Sequence, residues 1–566
     1  MGIDITITIG GEAGQGIQTV GQLLAAVCRE AGLYVFGIND FESRIRGGHS
    51  FYQLRIADHQ VRAPRHRVNL LIAMDDATLR LHREELLPGG LCLLNSADAE
   101  AEEPVRPIPF FKLARDAGGD ILANTVATAA ALALLGAPGG MLEKILHRQF
   151  AGKSSKVLED NCTAARLGRA AVQGIDCSCI GAWPESGRKR MIMEGAAALS
   201  LGALAGDCRF AAFYPMSPAT GIMMNLAAWQ DRFPLVVEQA EDEIAAANMI
   251  IGASYAGVRS LTATSGGGFC LMTEAVGLAG ISETPIVIIN AQRPGPATGL
   301  ATRTAQADLR QVMHAGQDEF PRFVFAPGSP EQAYETTARA FDLADTYQVP
   351  ALILVDQYFN DSLFTLEDAL QAPEKVSSRT IDDASQKNPS DYQRYALTDS
   401  GISPRAVPCA GETLVMVCGN EHKPDGHSTE SAELRTAMVD KRARKLRGMA
   451  SDMRPPTGAH PEAAIRLICW GSTLGVVAEA VELLRADGVD AGYMHFCDIW
   501  PFPGTAAQAA LAGAERLICV EQNSTAQFAG LLRQETGIAV AHTVLKYDGR
   551  PFYPLEIVNA VMKEGR

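Results

Sequence analysis

Apolar and polar positions follow two rhythms along this chain. "ITITIG" near the start alternates as a strand does. Gly10, Gly11, Gly14 and Gly16 then predict a tight turn, and Ile17–Ala31 continues with helical spacing. "SFYQLRIA", "NLLIAMD" and "GLCLLN" read as further strands, followed by apolar helical stretches from about 120 to 173. Strands alternating with helices predict a parallel or mixed α/β sheet over residues 1–175. Residues 176–190, "DCSCIGAWPESGRKR", lose all period and read as a linker. Across 191–370 the rhythm is clearest, with strands at "FAAFYP", "PLVVEQ", "VRSLTAT", "PIVIINA", "RFVFAP" and "PALILVD". These are near-continuously apolar, as strands are when helices cover both faces of a sheet. A connecting segment occupies 371–462: a polar stretch suited to wrapping a neighbour, then a charged helix in "ESAELRTAMVDKRARKL". The α/β rhythm returns over 463–566 in "IRLICWGS", "AGYMHF" and "RLICVEQN". No repeat of 20–50 residues is present.

The composition changes this picture little. With 566 residues, 47% hydrophobic and 20% charged, the chain is an ordinary multi-domain globular protein. A formal charge of −15 and the absence of a basic domain argue against nucleic-acid binding. No apolar run is long enough to cross a bilayer, and the first residues lack a leader-like pattern, so a cytoplasmic protein with no membrane partner is expected. The 12 cysteines stand singly, the closest pair being Cys177 and Cys179, and no C-x-x-C occurs. The chain is therefore expected to hold no four-cysteine iron–sulfur cluster and no metal of its own, and its thiols to be reduced.

Candidate chemistry gathers at strand ends. "GGEAGQGI" follows a strand and opens a helix, so its amides, around Gly14, suit a phosphate; the dinucleotide fingerprint fails at its third position, which is Thr19. Tight strand-to-helix packing explains the same glycines without a ligand. In "SRIRGGHS", Arg44 and Arg46 suit a phosphate clasp, a solvated loop or a subunit contact equally. Glu238, Glu241, Asp242 and Glu243 precede a small-residue helix, and dipole complementarity accounts for three of the four. Glu243 differs, because an apolar run follows it and burial there disfavours a charged carboxylate. Ser265 is placed to cap the helix that Gly266, Gly267 and Gly268 open, with glycines permitting close backbone approach. Arg293 and Arg303 flank a Pro/Gly loop at a strand's C-terminal end, where open α/β sheets bind ligands. Tyr214 and Ser217 sit in the proline-stiffened loop "YPMSPAT".

Taken in order, these loops resemble the 2-oxoacid:ferredoxin (acceptor) oxidoreductases, over nearly the whole chain, and most closely the alpha subunit of the 2-oxoglutarate type. "GGEAGQGI" and "IRGGHSFYQLRI" are similar to the gamma domain, here fused at the N-terminus. "YPMSPAT", "QAEDEIAAANMIIGASYAG", "TATSGGGFCLMTE" and "GLATRTAQADL" are similar to the alpha domain that covers the pyrimidine of thiamine diphosphate. "MVDKRARKL", "CWGST", "VEQN" and "LKYDGRPFYP" match the tail, whose end resembles a transketolase C-terminal domain. The implied fold class is multi-domain α/β: a gamma-type domain, a doubly wound pyrimidine-type domain and a transketolase C-terminal-like domain. The resemblance places Glu243 against the pyrimidine, where its hydrogen bond promotes ylid formation, and beside it the cofactor contacts of Ser265, Gly266 and Gly267. It gives Arg293 the 2-oxoacid carboxylate, with Tyr214 and Ser217 at the substrate; Ser217 replaces the family's threonine. It assigns coenzyme A to the gamma domain, with Arg44, Arg46 and the Gly14 turn as contacts.

The chain lacks a G-D-G magnesium motif and cluster cysteines, so the resemblance implies a beta subunit carrying Mg2+ and a [4Fe-4S] cluster, ferredoxin as acceptor, and a dimer of alpha–beta heterodimers. The expected reaction interconverts 2-oxoglutarate, coenzyme A and oxidised ferredoxin with succinyl-CoA, CO2 and reduced ferredoxin, in either direction. Two readings compete with it. One is the same chemistry on pyruvate, a branched-chain 2-oxoacid or indolepyruvate. The other is a non-catalytic nucleotide-binding or assembly subunit, for which loss of the Glu243 carboxylate would leave turnover intact.

Overall fold

The computed structural model describes residues 2–42, 47–97, 103–175, 183–184, 187–372 and 391–563. Contacts divide the chain into two units: Met1–Met193 with Ser362–Ala369, and Glu194–Asp361 with Leu370–Arg566.

The first unit is built on an eight-stranded mixed sheet. Its middle strand, Asp4–Glu12, runs antiparallel to His49–Ala57 and parallel to Val68–Ala73. The helix Ile17–Glu30 buries Val20, Leu24, Val27 and Cys28 against this sheet. It begins where Gly14 and Gly16 take φ of 93° and 73°. Those angles are open to glycine at little cost, and a side chain at Gly16 would run into Asn124. Four of the eight strands escape the periodicity reading: Tyr34–Asp40, Val105–Pro107, Met191–Glu194 and Leu363–Leu366. Leu363–Leu366, far along the chain, pairs antiparallel with Tyr34–Asp40. It is held there by the Thr365 hydroxyl, which accepts from the Val35 amide and donates to the Val35 carbonyl, both at 2.8 Å. Four residues are too few to show a period.

The second unit holds two sheets. The larger runs in the order Asp498–Trp500, Phe323–Phe325, Pro350–Asp356, Ile286–Gln292, Ser260–Thr264, Phe210–Phe213 and Val236–Gln239. All its pairings are parallel except that of Asp498–Trp500 with Phe323–Phe325. Every residue of Ile286–Gln292 and Pro350–Asp356 is buried, as expected for central parallel strands covered on both faces. The smaller sheet orders Thr457–Ala459, Ala491–Phe496, Ile465–Trp470, Arg516–Glu521 and His542–Leu545. One apolar core joins both sheets, from Ile288 and Val324 to Trp470, Phe496 and Phe528.

The described part of the connecting segment packs on its own unit. Arg394 donates to the Glu283 carbonyl at 2.7 Å, and the Tyr395 hydroxyl donates to the Ser282 carbonyl at 3.2 Å. The charged helix spans Ala432–Ser451 and turns Lys441 and Lys445 inward. No helix among the described residues is long and apolar enough to cross a membrane.

Candidate active site

In the larger sheet of the second unit, four parallel strands, Phe210–Phe213, Val236–Gln239, Ser260–Thr264 and Ile286–Gln292, run to one end, and the candidate residues follow them there. Buried polar side chains stand where the strands finish: Thr264 ends Ser260–Thr264, and Asn290 and Gln292 lie at the end of the otherwise apolar Ile286–Gln292. Open parallel sheets bind ligands at such ends, where helices and loops diverge.

Glu243 opens the helix Glu243–Tyr255. Asp242, at the cap, accepts the Ala245 amide at 2.7 Å and so satisfies the first turn. Glu238 and Glu241 are exposed, whereas Glu243 is only 3% exposed. Its Oε1 is buried with no hydrogen-bond partner. A buried polar atom left unpaired costs about 1–3 kcal/mol, so this oxygen is held ready for a group from outside the chain. It lies over Gly268: a Cβ there would come within 2.7 Å of Glu243 Oε1 and would collide with Thr264 Oγ1. Only glycine leaves the carboxylate this opening.

Ser265 stands at the cap of the helix Gly266–Ile281, but its hydroxyl makes no cap bond, contrary to expectation. The Ser265 carbonyl, accepting from Phe269 N–H at 2.8 Å, starts the helix, while Oγ is buried without a partner. Gly266 is pressed against Asp308, whose Oδ2 lies where a Cβ would stand. Gly267 meets nothing nearer than the Ala297 carbonyl, 3.7 Å from its would-be Cβ.

Arg293 follows the strand Ile286–Gln292 and is half-buried. Its Nη1 donates to the Ser217 carbonyl at 2.7 Å, and its Nε is buried and unpaired. No carboxylate bonds it among the described residues; burial lowers its pKa and the charge of Asp308 opposes this. A guanidinium with spare donors at a strand end suits a carboxylate. Ser217 joins the cluster through its backbone carbonyl. The same loop brings Met216 to Thr264, whose hydroxyl lies 3.8 Å from the sulfur. Tyr214, in contrast, is exposed and its hydroxyl makes no hydrogen bond among the described residues.

Asp308 was not singled out from the sequence. It accepts from Asn290 Nδ2 at 3.1 Å, and its own amide donates to Gln292 Oε1 at 3.0 Å. Burial raises its pKa to about 6, against the opposing pull of Asn290 and Arg293. The available signal was the pair of polar residues in "IVIINAQ", which an apolar strand tolerates only where something meets them. Arg293 bonds Ser217 and feels the charge of Asp308, which lies against Gly266, while Gly268 and Thr264 lead to Glu243.

On the elements near this cluster several large apolar side chains are exposed among polar ones such as Glu238 and Glu241. Met224, Val236, Ile244, Met249 and Leu271 are all at least 43% exposed. In the first unit, Gly14 has open space where a Cβ would be. Arg44 and Arg46 lie outside the described residues. No group of three or more His, Cys, Asp or Glu suited to a metal occurs among the described residues.

Comparison with known proteins adds a second line. The family model described as pyruvate flavodoxin/ferredoxin oxidoreductase, thiamine diP-bdg, matches residues 201–441. Those for pyruvate ferredoxin/flavodoxin oxidoreductase and for pyruvate:ferredoxin oxidoreductase core domain II match 6–171 and 463–557. The chain is 31% identical to 2-oxoacid:ferredoxin oxidoreductase 2, subunit alpha, of Aeropyrum pernix, over 99% of this chain and 98% of the relative. It is 32% identical to 2-oxoglutarate synthase subunit KorA of Methanothermobacter thermautotrophicus, over 66% of this chain and 98% of the relative. Its structure is similar, with TM-score 0.91, 30% identity and full coverage of both chains, to 2-oxoglutarate:ferredoxin oxidoreductase from Magnetococcus marinus with 2-oxoglutarate, coenzyme A and succinyl-CoA bound.

Proposed function

The chain belongs to the family of 2-oxoacid:ferredoxin oxidoreductase alpha subunits, and from that premise we propose that it acts on 2-oxoglutarate, forming one side of a thiamine-diphosphate site completed by a beta subunit. The observation that carries this reading is the unpaired, buried Glu243 Oε1 above Gly268, in one cluster with the half-buried Arg293. The residues fit the cofactor's pyrimidine: a buried carboxylate oxygen awaiting a partner, beside glycines that allow a flat ring to approach.

When bound, thiamine diphosphate supplies a carbon nucleophile for the 2-oxoacid carbonyl and an electron sink for loss of CO2. Glu243 holds or returns a proton at a ring nitrogen through Oε1. Gly266 and Gly267 keep the helix start low, and the unpaired Ser265 hydroxyl is available to the same ring. Arg293 binds the substrate carboxylate with the donors it does not spend on Ser217, and Tyr214 and Ser217 line the approach. Asp308 holds Arg293 from the far side. Coenzyme A, the acyl acceptor, belongs on this reading to the gamma-type first unit, with Gly14 and the Arg44–Arg46 stretch as its contacts.

The exposed apolar residues around Glu243 support a partner that covers the site and excludes water, with two alpha–beta pairs forming the complete assembly. That partner would hold Mg2+ for the diphosphate and a [4Fe-4S] cluster passing single electrons to ferredoxin, for which this chain offers no cysteine set. The ten described cysteines are all free, which suits a reducing, cytoplasmic setting. The choice of 2-oxoglutarate rests on the names borne by a similar protein over 66% of this chain and by a similar structure over its full length. The test is dye or ferredoxin reduction by the co-expressed complex with coenzyme A and, in turn, 2-oxoglutarate, pyruvate and 2-oxoisovalerate. Activity with 2-oxoglutarate alone is expected. Preference for another acid overturns the substrate, and no turnover by a cofactor-loaded complex overturns the catalytic reading.

A further inference from the structure

Away from the Glu243 cluster, the second unit encloses a cavity of about 540 Å3, within the size range of small-molecule sites. Its walls include Leu309, Met313, Phe320, Leu446, Trp500 and Leu531. They come from the short helix Leu309–His314, the loop after it, the connecting helix Ala432–Ser451 and the helix Gln527–Thr536.

One buried charge lines this cavity. Arg322 is 4% exposed. Its Nη1 donates to the Val312 and Ala315 carbonyls at 3.2 and 2.5 Å, closing the end of the short helix. Its guanidinium carbon lies 4.3 Å from the centre of the Phe320 ring. Helix capping and stacking occupy Nη1 and one face; Nε and Nη2 have no partner among the described residues. No carboxylate pairs with it there either. Burial lowers its pKa to about 10, so it stays charged at neutral pH. A buried cation is normally paired, and here the space beside it is empty of protein, with an apolar side formed by Leu446, Trp500 and Leu531 and polar groups such as Arg310 and Gln534 elsewhere on its wall. Of the two acids that line the cavity, Asp318 pairs with Arg435, and Glu319 has no ion pair with Arg322 among the described residues. Asp318 and Glu319 at the rim also disfavour multiply charged ligands such as nucleotides.

We propose that this cavity binds a small monocarboxylate with an apolar body, its head on Arg322 Nε and Nη2 and its body between Trp500, Leu446 and Leu531. The cavity wall begins at Leu309, directly after Asp308, so an occupant stiffens the helix whose start touches Gly266 and Asn290.

The test is titration calorimetry on the full-length chain, in the complex in which it purifies, with 2-naphthoate and the uncharged 2-naphthamide as probes. Naphthoate is expected to bind at one site per chain, and naphthamide about tenfold or more weakly, the usual gain from a charge-assisted hydrogen bond. Arg322→Met is expected to lose naphthoate binding by about the same factor. Because Arg322 also closes a helix, Ala443→Trp serves as the second variant. Ala443 is an exposed residue on the cavity wall, so filling the space there keeps Arg322 and its helix intact, and it too should abolish binding. The proposal is overturned if wild-type protein does not bind naphthoate, if naphthamide binds equally well, or if Ala443→Trp leaves binding unchanged.

Discussion

At the scale of single residues, the site depends on which polar atoms are left without partners. Glu243 was separable in the sequence from its acidic neighbours because small apolar residues follow it, and its burial has the same cause. Its open oxygen was not legible, since that depends on Gly268 and Thr264 arriving from another strand. Glu243→Gln keeps the size and burial but cannot exchange the proton. Turnover of the assembled enzyme should fall about 100- to 10,000-fold, with circular dichroism and melting temperature unchanged; near-normal rates would remove Glu243 from the chemistry. Asp308 yields a pH prediction. Its folded-state pKa is raised from 3.8 to about 6 by burial. Stability from the protonated form is therefore complete below about pH 4 and is lost as pH rises through 6. Asp308→Asn should match wild type near pH 4 and become more stable above pH 6, by up to about 3 kcal/mol. Melts across pH 4–8 check this, and a constant offset would contradict it.

At the scale of elements, the parallel strands were legible because burial on both faces makes them continuously apolar. The short strands Leu363–Leu366, Thr457–Ala459 and Asp498–Trp500 were not, as their pairing is set by distant partners. The helix Ala432–Ser451 shows another limit. "VDKRARKL" reads only as part of a charged helix, and its sequence does not show that Lys441 and Lys445 are fully buried on Glu283, each 2.6 Å from one of its oxygens. The two ammonium groups hold the Glu283 carboxyl well below the usual carboxylate range. Glu283→Gln strands two buried cations, so we expect a loss of about 3–5 kcal/mol, read as a lower urea midpoint. Replacing all three together, Glu283→Leu with Lys441→Met and Lys445→Met, should restore most of it. A triple variant as unstable as the single one would show that the cluster contributes more than charge balance.

At the scale of the whole molecule, the surface around Glu243 is unlike that of a self-sufficient protein. Met224 is 63% exposed and Ile244 49%. Exposed substitutions alone change stability little, so Met224→Asp and Ile244→Asp should leave the isolated chain's melting temperature intact. If the beta subunit covers this face, they should weaken its binding about tenfold or more, measured by biosensor titration; unchanged affinity would put the partner elsewhere. By itself the sequence determined the α/β class, the long buried strands, the missing cluster cysteines and the strand-end loops that carry Glu243 and Arg293. Each of these is a local property, written in period, composition or spacing. Only the tertiary structure decided that the Ser217 carbonyl accepts from Arg293, that Asp308 is buried on Asn290, that two lysines turn inward onto Glu283, and that Arg322 faces a cavity. Those outcomes depend on which groups from distant segments share a buried space, and there the cost of an unpaired polar atom or charge, rather than local pattern, sets the arrangement.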